Sequence, residues 1–417
     1  MPPGPSTFSG SSLTVMSALG RCIAVPPRHF ADQYWGRRPL LTRRAELRAG
    51  FDDLLDAAAV DELVSRRGLR TPFLRMAKDG DVVPSALYTR GGGAGATVAD
   101  QAADDRVLAQ LGAGATLVLQ GLHRIWPPLV GFATELSAEL GRPVQVNAYI
   151  TPPQSRGFAP HYDVHDVFVL QIIGAKQWRV HEPVVADPLG DQPWEQRRDA
   201  VAARAAEAPI FDETLEPGDA FYLPRGYVHS AVATGELSIH LTVGVHPMTR
   251  YQLVRHLLAA AAEDAHLRAS LPMGVDLADP ALLEPHLRDT IAALHRYLDG
   301  ADADTVANLI SADLARQTRP APLAPLAQLT AVDALDRSTR LRLRPALRCT
   351  VTRDDSGLRL RLLDRTVPLP PAAEAAVKAI LGGEPFTPAE LPALDAAEQL
   401  TLAQLLLREA VVEPIQP

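Results

Sequence analysis

Two short segments limit the fold of this 417-residue chain more than its composition does: Gly157-Phe-Ala-Pro-His161-Tyr-Asp163 and Gly218-Asp-Ala-Phe-Tyr-Leu-Pro224-Arg-Gly226-Tyr-Val-His229. His161 and Asp163 are two residues apart, so on an extended strand both point to one face, with α-carbons about 6.6 Å apart. Side chains leaning together across that gap can share a metal ion. A third ligand must then come from elsewhere, and the second segment offers His229. Pro224 and Gly226 are turn residues that set the chain to enter the next strand with His229 facing inward. An H-x-D triplet alone is common by chance. Paired in this order with the second segment, it predicts a metal site.

The surrounding sequence fits a β-rich scaffold. Val144–Ile150, Val167–Ile173, Gln177–Val180, Ala220–Leu223 and Ser238–Val245 are short runs of β-branched and aromatic residues separated by Gly and Pro. They predict the strands of a barrel or sandwich. Helical spacing appears before them, at 53–66 and at Leu129, Phe132, Leu136 and Leu140. It returns after Met248, over 251–262, 280–298 and 304–315. The first 26 residues, rich in Pro, Gly and Ser, are expected to be flexible, with order beginning near Pro27. Pro320-Ala-Pro-Leu-Ala-Pro325 reads as a semi-rigid linker. Beyond it, a hairpin around 353–357 and helices at 371–381 and 395–409 predict a small strand-and-helix module. Arg90-Gly-Gly-Gly-Ala-Gly95 lacks the Gly-Lys-Ser/Thr ending of a phosphate loop and is read as a surface loop.

Composition bounds the function. The chain carries 41 Lys+Arg against 49 Asp+Glu, a net charge of -8. That balance argues against nucleic-acid phosphate as the main partner, and direct DNA binding is not expected. Cys22 and Cys349 have no metal-ligand spacing and suit a reducing compartment. No run is long and apolar enough to span a membrane, and no secretory signal is evident. A cytoplasmic protein is expected.

The second segment matches the G-x5-P-x-G-x2-H metal motif of cupin barrels at every specified position. Two imidazoles and a carboxylate on one face suit non-haem Fe(II), with positions left for a chelating cosubstrate and dioxygen; zinc is the competing metal. A 2-oxoglutarate dianion would need a cation for its distal carboxylate. Lys176, just after an expected Gly174-Ala175 turn, is a candidate point charge, although a lone lysine is ordinarily a surface residue.

A wider set of residues carries a family resemblance. Asn147-Ala-Tyr149-Ile-Thr-Pro-Pro153, Gly157 to Asp163, Val169-Leu-Gln171, Gly174, Lys176, Trp178-Arg179-Val180 and Leu223 to His229 closely resemble the ribosomal oxygenases. Tyr34-Trp35, Arg38 to Leu41, Leu117 to His123 and Trp126-Pro-Pro128 extend the likeness. These enzymes form a JmjC-type branch of the Fe(II)/2-oxoglutarate oxygenases. The resemblance implies an α+β fold: a double-stranded β-helix (JmjC/cupin barrel) with flanking helices over 27–249, a helical dimerisation region over 250–318, and a linker with a winged-helix-like domain over 319–417.

It also implies roles. His161, Asp163 and His229 would bind iron, and Lys176 the distal carboxylate of 2-oxoglutarate. Asn147 and Tyr149 would line the cosubstrate pocket, and Thr242 would offer a hydroxyl. Gly244 stands where some relatives carry a serine facing the substrate, so substrate contacts need not transfer. His165, on the His161/Asp163 face, is a candidate to meet substrate but reads first as a rim or core histidine; His240 reads as either a packed residue or a support for the site; Arg75 is a candidate substrate contact but reads first as a solvated arginine. The implied reaction is hydroxylation of Arg or His in a ribosomal protein by a homodimer, using O2. A small-molecule hydroxylase, a demethylase and a non-enzymatic 2-oxoglutarate sensor with a nucleic-acid-binding winged helix are the alternatives.

Overall fold

The computed structural model describes residues 17–95, 97–354 and 357–415. The chain forms two compact units, divided between Pro247 and Met248.

The first unit is built on a nine-stranded, wholly antiparallel sheet. At its centre two long strands, Asp166–His181 and Val228–Val245, run against each other for almost their whole length. Val144–Thr151 flanks the second of them, followed by Thr116–Leu119, Leu74–Lys78 and Asp81–Val82. Ala220–Leu223 and then Leu40–Thr42 flank the first, and Phe211–Leu215 pairs with its second half.

Strand alternation sorts side chains to two sides. Phe168, Leu170, Ile239, Leu241, Val243 and Ile150 join the main core, which is backed by the helices Ala57–Arg66 and Pro127–Leu140. Val167, Val169, Trp178 and Val180 point the other way, into a separate cluster with Phe221 and Leu223. The barrel interior lies on that second side, and the neighbouring interior-facing positions are polar.

Several expectations are corrected here. Residues 1–16 of the expected flexible terminus lie outside the described residues. Order nevertheless begins well before Pro27: Ala18, Cys22 and Ile23 are buried, and Glu139 accepts the Ala18 and Leu19 amides. The helix expected from Asp53 starts at Ala57, because Asp56 caps it by accepting from the Ala59 amide. No turn breaks the chain at Gly174-Ala175; Gly174 is a bend inside one continuous strand. Its φ is +61°, and a Cβ there would lie 2.2 Å from the Leu237 carbonyl oxygen, so only glycine fits. The strands Leu74–Lys78, Thr116–Leu119 and Phe211–Leu215 were not expected.

The second unit holds the helices Arg250–Ala261, Pro280–Asp299 and Ala303–Gln317. Beyond them lies the hairpin Thr350–Asp354 with Gly357–Arg361, extended by Thr366–Leu369. Leu358, Leu360, Val377, Ile380, Leu402 and Leu406 form its buried core. The proline-rich stretch is tied down rather than free: the Ala321 amide donates to the Pro345 carbonyl, and the Ala321 carbonyl accepts from Arg344. Among the described residues no helix is long and apolar enough to cross a membrane.

Candidate metal centre

His161 and Asp163 lie in an irregular segment just ahead of the Asp166–His181 strand, not within a strand as expected. Backbone bonds replace strand geometry. The His161 amide donates to the His229 carbonyl (3.1 Å), and the His229 amide to the His161 carbonyl (2.8 Å). The Gly226 amide holds the Asp163 carbonyl at 2.9 Å. Gly226 has φ +89°, and a Cβ there would meet the Val185 oxygen at 2.7 Å and Pro188 Cδ at 2.9 Å. The turn that delivers His229 therefore requires glycine.

Both imidazoles are pre-oriented. Nδ1 of His161 lies 2.8 Å from the Ala159 carbonyl, and Nδ1 of His229 lies 3.1 Å from the Tyr227 carbonyl. A carbonyl can only accept, so each ring carries its proton on Nδ1 and leaves the Nε2 lone pair free. One ligand atom from each of His161, Asp163 and His229 falls within 4.8 Å of the others. Burial lowers the His229 pKa to about 4, with His161 pushing the same way. Burial raises the Asp163 carboxyl, but His165, His229, His161 and Arg75 outweigh it and hold it below its ordinary value. Neutral imidazoles and an ionised carboxylate are the forms that bind a divalent cation. The donor set fits a metal.

A cavity of about 70 Å³ adjoins the three ligands, several times the ~10–15 Å³ that one water needs. Lys176 and Trp178 reach it from one central strand, His240 and Thr242 from the other, and Tyr149 from Val144–Thr151. Lys176 is 4% exposed, and its Nζ donates to Thr151 Oγ1 at 3.1 Å. Burial lowers its pKa from 10.5 to about 7. Among the described residues no carboxylate pairs with it, so the cavity holds a buried amine without an acidic partner. That is the feature a diacid cosubstrate would satisfy.

Of the other expected residues, Tyr149 and Thr242 line this cavity, while Asn147 does not. The Asn147 carboxamide oxygen instead accepts from the Gly121 amide at 3.0 Å. Tyr149 stacks on His240, with centroids 4.9 Å apart and planes at 5°. Among the described residues, buried Nδ1 of His240 and Nε1 of Trp178 both lack a hydrogen-bond partner. Arg75 is not the solvated arginine expected: it is half-buried, and its guanidinium lies 5.1 Å from the Phe158 ring centre. Sequence reasoning missed Thr151, although it continues the 147/149 face at the same two-residue period. It also missed Trp178 as a wall residue.

Comparison with known proteins agrees with this geometry. Residues 133–253 match the JmjC domain family, and this stretch brackets all three ligands. The chain thus matches a JmjC domain over this stretch, within a cupin-like fold of mixed α/β architecture.

More particularly, it is homologous to ribosomal oxygenase 1 and NO66. It is 28% identical over 330 residues to ribosomal oxygenase 1 of Rattus norvegicus, covering 75% of this chain and 53% of that protein. It is 40% identical over 139 residues to the bifunctional lysine-specific demethylase and histidyl-hydroxylase NO66 of Drosophila grimshawi, covering 31% of this chain and 19% of that one. The chain spans about half the length of the ribosomal oxygenase 1 relatives. The Escherichia coli ribosomal oxygenase YcfD shares its fold, with a TM-score of 0.53 at 18% identity over 94% of this chain and 98% of that one. YcfD has also been solved with cobalt and 2-oxoglutarate, a structure that matches with a TM-score of 0.52 at 18% identity over 93% of this chain and 98% of that one.

Proposed function

We propose that this protein is an Fe(II)/2-oxoglutarate-dependent oxygenase that hydroxylates a protein side chain, an Arg or His of a ribosomal protein. One observation carries the reading. The buried Lys176, whose Nζ donates to Thr151 and to no carboxylate among the described residues, lines the same small cavity as His161, Asp163 and His229. A metal and a dicarboxylate are both provided for within one enclosure. The homology to ribosomal oxygenase 1 and NO66 supports a protein as the substrate.

His161, Asp163 and His229 would hold the iron through Nε2, a carboxylate oxygen and Nε2. When bound, iron with a chelating 2-oxoacid supplies dioxygen activation and insertion of one oxygen atom into a substrate C–H bond. Lys176 and Thr151 fix the distal carboxylate of the cosubstrate. Thr242 offers a hydroxyl to the same space, and Tyr149, stacked on His240, forms a rigid wall. Val167, Val169 and Trp178 keep the interior apolar around the polar groups. Asn147 supports the wall by tying its strand to Gly121.

The chain acts as a cytoplasmic homodimer in this reading, paired through 250–318. Leu253, Val254 and Leu258 on one helix, and Leu282, Leu287 and Ile291 on the next, are exposed and support it. Residues 319–417 are assigned as a winged-helix-like module.

The test is anaerobic loading with Fe(II), then incubation with 2-oxoglutarate, air and purified ribosomal proteins. Intact-mass readout should show one added oxygen atom on one protein, absent with His229→Ala. Succinate without any protein mass gain would refute the protein substrate and point to a small molecule.

A further inference from the structure

The interior row of polar positions does not end at the cavity. Along Val228–Val245, His240, Thr242 and Gly244 share one face; along Val144–Thr151, Tyr149, Asn147 and Gln145 do. The two strands pair His240 with Tyr149, Thr242 with Asn147 and Gly244 with Gln145. The row therefore runs outward from the cavity wall to the Gly244–Gln145 pair. His165 sits over that last pair.

The fit there is tight. A Cβ on Gly244 would lie 2.6 Å from both Cδ2 and Nε2 of His165, closer than real carbon contacts come. Gly244 has no positive φ, so the backbone does not demand glycine. The space is needed for the imidazole. The ring is also held from two other sides. Nε2 of Gln145 lies 3.3 Å from Nε2 of His165, where the amide donates to the ring lone pair. His246, exposed at the strand end, stacks on the ring with centroids 5.6 Å apart and planes at 14°. A partly exposed side chain, two residues from Asp163 and fixed by three neighbours at the end of the row that lines the cavity, is placed to meet a group arriving from solvent.

We propose that His165 is a substrate-positioning residue: its ring, seated in the gap left by Gly244, forms the wall of the cavity mouth against which a polypeptide substrate lies. This inference rests on the hydroxylase reading above and deepens it. The ring narrows the approach beside Asp163, so the target side chain enters in one orientation. Without the ring the substrate still reaches the metal, but the reacting C–H bond is held less well.

The experiment compares wild type, His165→Ala, Gly244→Ala, the double variant and His165→Phe. The readouts are KM and kcat for the ribosomal protein hydroxylated by wild type, and succinate formed per hydroxyl group. His165→Ala should raise KM about tenfold and the succinate-to-product ratio several-fold, with kcat changed less than KM. Gly244→Ala should act in the same direction by expelling the ring. The double variant should be no worse than His165→Ala alone, because both changes act through one side chain. His165→Phe, which keeps a ring over Gly244 and the stack on His246, should recover most of the KM. His165→Ala folds without a clash, so the test survives if Gly244→Ala does not fold. Unchanged KM and coupling in His165→Ala, or strictly additive effects in the double variant, would overturn the inference alone. A wild-type enzyme that hydroxylates no ribosomal protein would overturn the hydroxylase reading and this inference with it.

Discussion

Replacing Lys176 with Met should make the ligand-free protein more stable and at the same time abolish its response to 2-oxoglutarate. Burial lowers this lysine from 10.5 to about 7, because the ammonium has left water and found only the Thr151 hydroxyl. An unfolded lysine holds its proton up to its ordinary pKa, whereas the folded one releases it above about 7. Between these values the unfolded chain binds more protons, so this group makes folding stability rise with pH across that window. At pH 7 the penalty is on the order of 4 kcal/mol, from 1.36 kcal/mol per pKa unit.

Met has similar length and no charge. It recovers most of that penalty and loses about 1 kcal/mol with the Thr151 hydrogen bond. The net gain of about 3 kcal/mol should raise Tm by about 6–10 °C in a unit of this size. With Mn(II) present to exclude turnover, 2-oxoglutarate at a hundred times Kd should stabilise the wild type by about 2.7 kcal/mol. The variant should show no such shift. Pairing needs the ammonium, so wild-type affinity for 2-oxoglutarate should fall as pH rises above 7. Differential scanning fluorimetry across pH 6.5–9, with and without ligand, reads all of this. A Lys176→Met protein that is less stable without ligand, or still stabilised by 2-oxoglutarate, would refute the reasoning.

Three further outcomes follow from the geometry. Asp163→Ala should lose Co(II) binding while keeping the fold, since among the described residues its side chain makes no hydrogen bond to the backbone; equilibrium dialysis with circular dichroism checks both. Gly226→Ala should cost more than about 2 kcal/mol and displace His229, because its Cβ would press on the Val185 oxygen and Pro188 at a positive φ; urea denaturation and metal titration should both move. Phe168→Ala, in the core behind the central strand, should cost about 3–5 kcal/mol with no direct effect on the ligands, read as a lower denaturation midpoint with metal stoichiometry unchanged.

The cluster of His161, Asp163 and His229 was legible in the sequence because its spacing is itself suggestive chemistry: a two-residue step plus a Pro-x-Gly turn ahead of a histidine. The central strands beside them were legible from β-branched runs, but their lengths were not. Gly174 read as a turn and Ser238 as the start of a strand, yet both lie inside long strands, since a glycine at positive φ (Gly174, Gly235) lets the ladder bend without ending. Leu74–Lys78 escaped notice because Arg75 and Lys78 disguise a strand whose other residues are buried. Arg75 itself was misread for a related reason: arginine is usually exposed, and only the fold shows that Phe158 and Tyr149 cover it. Asn147 stands on the face its period assigns, but its carboxamide oxygen is taken by Gly121, a partner no spacing rule could supply. The place of His165 depends on what Gly244 lacks, which only packing reveals.

The most direct test of the central claim is an anaerobic titration of the purified protein with Fe(II) and then 2-oxoglutarate, followed by visible absorption. One Fe(II) per chain and a charge-transfer band that grows with 2-oxoglutarate, absent in His229→Ala and weakened by Lys176→Met, is the predicted result. Iron that binds without any band on adding 2-oxoglutarate, or a band that survives the loss of His229, would contradict the assignment of His161, Asp163, His229 and Lys176 to one centre.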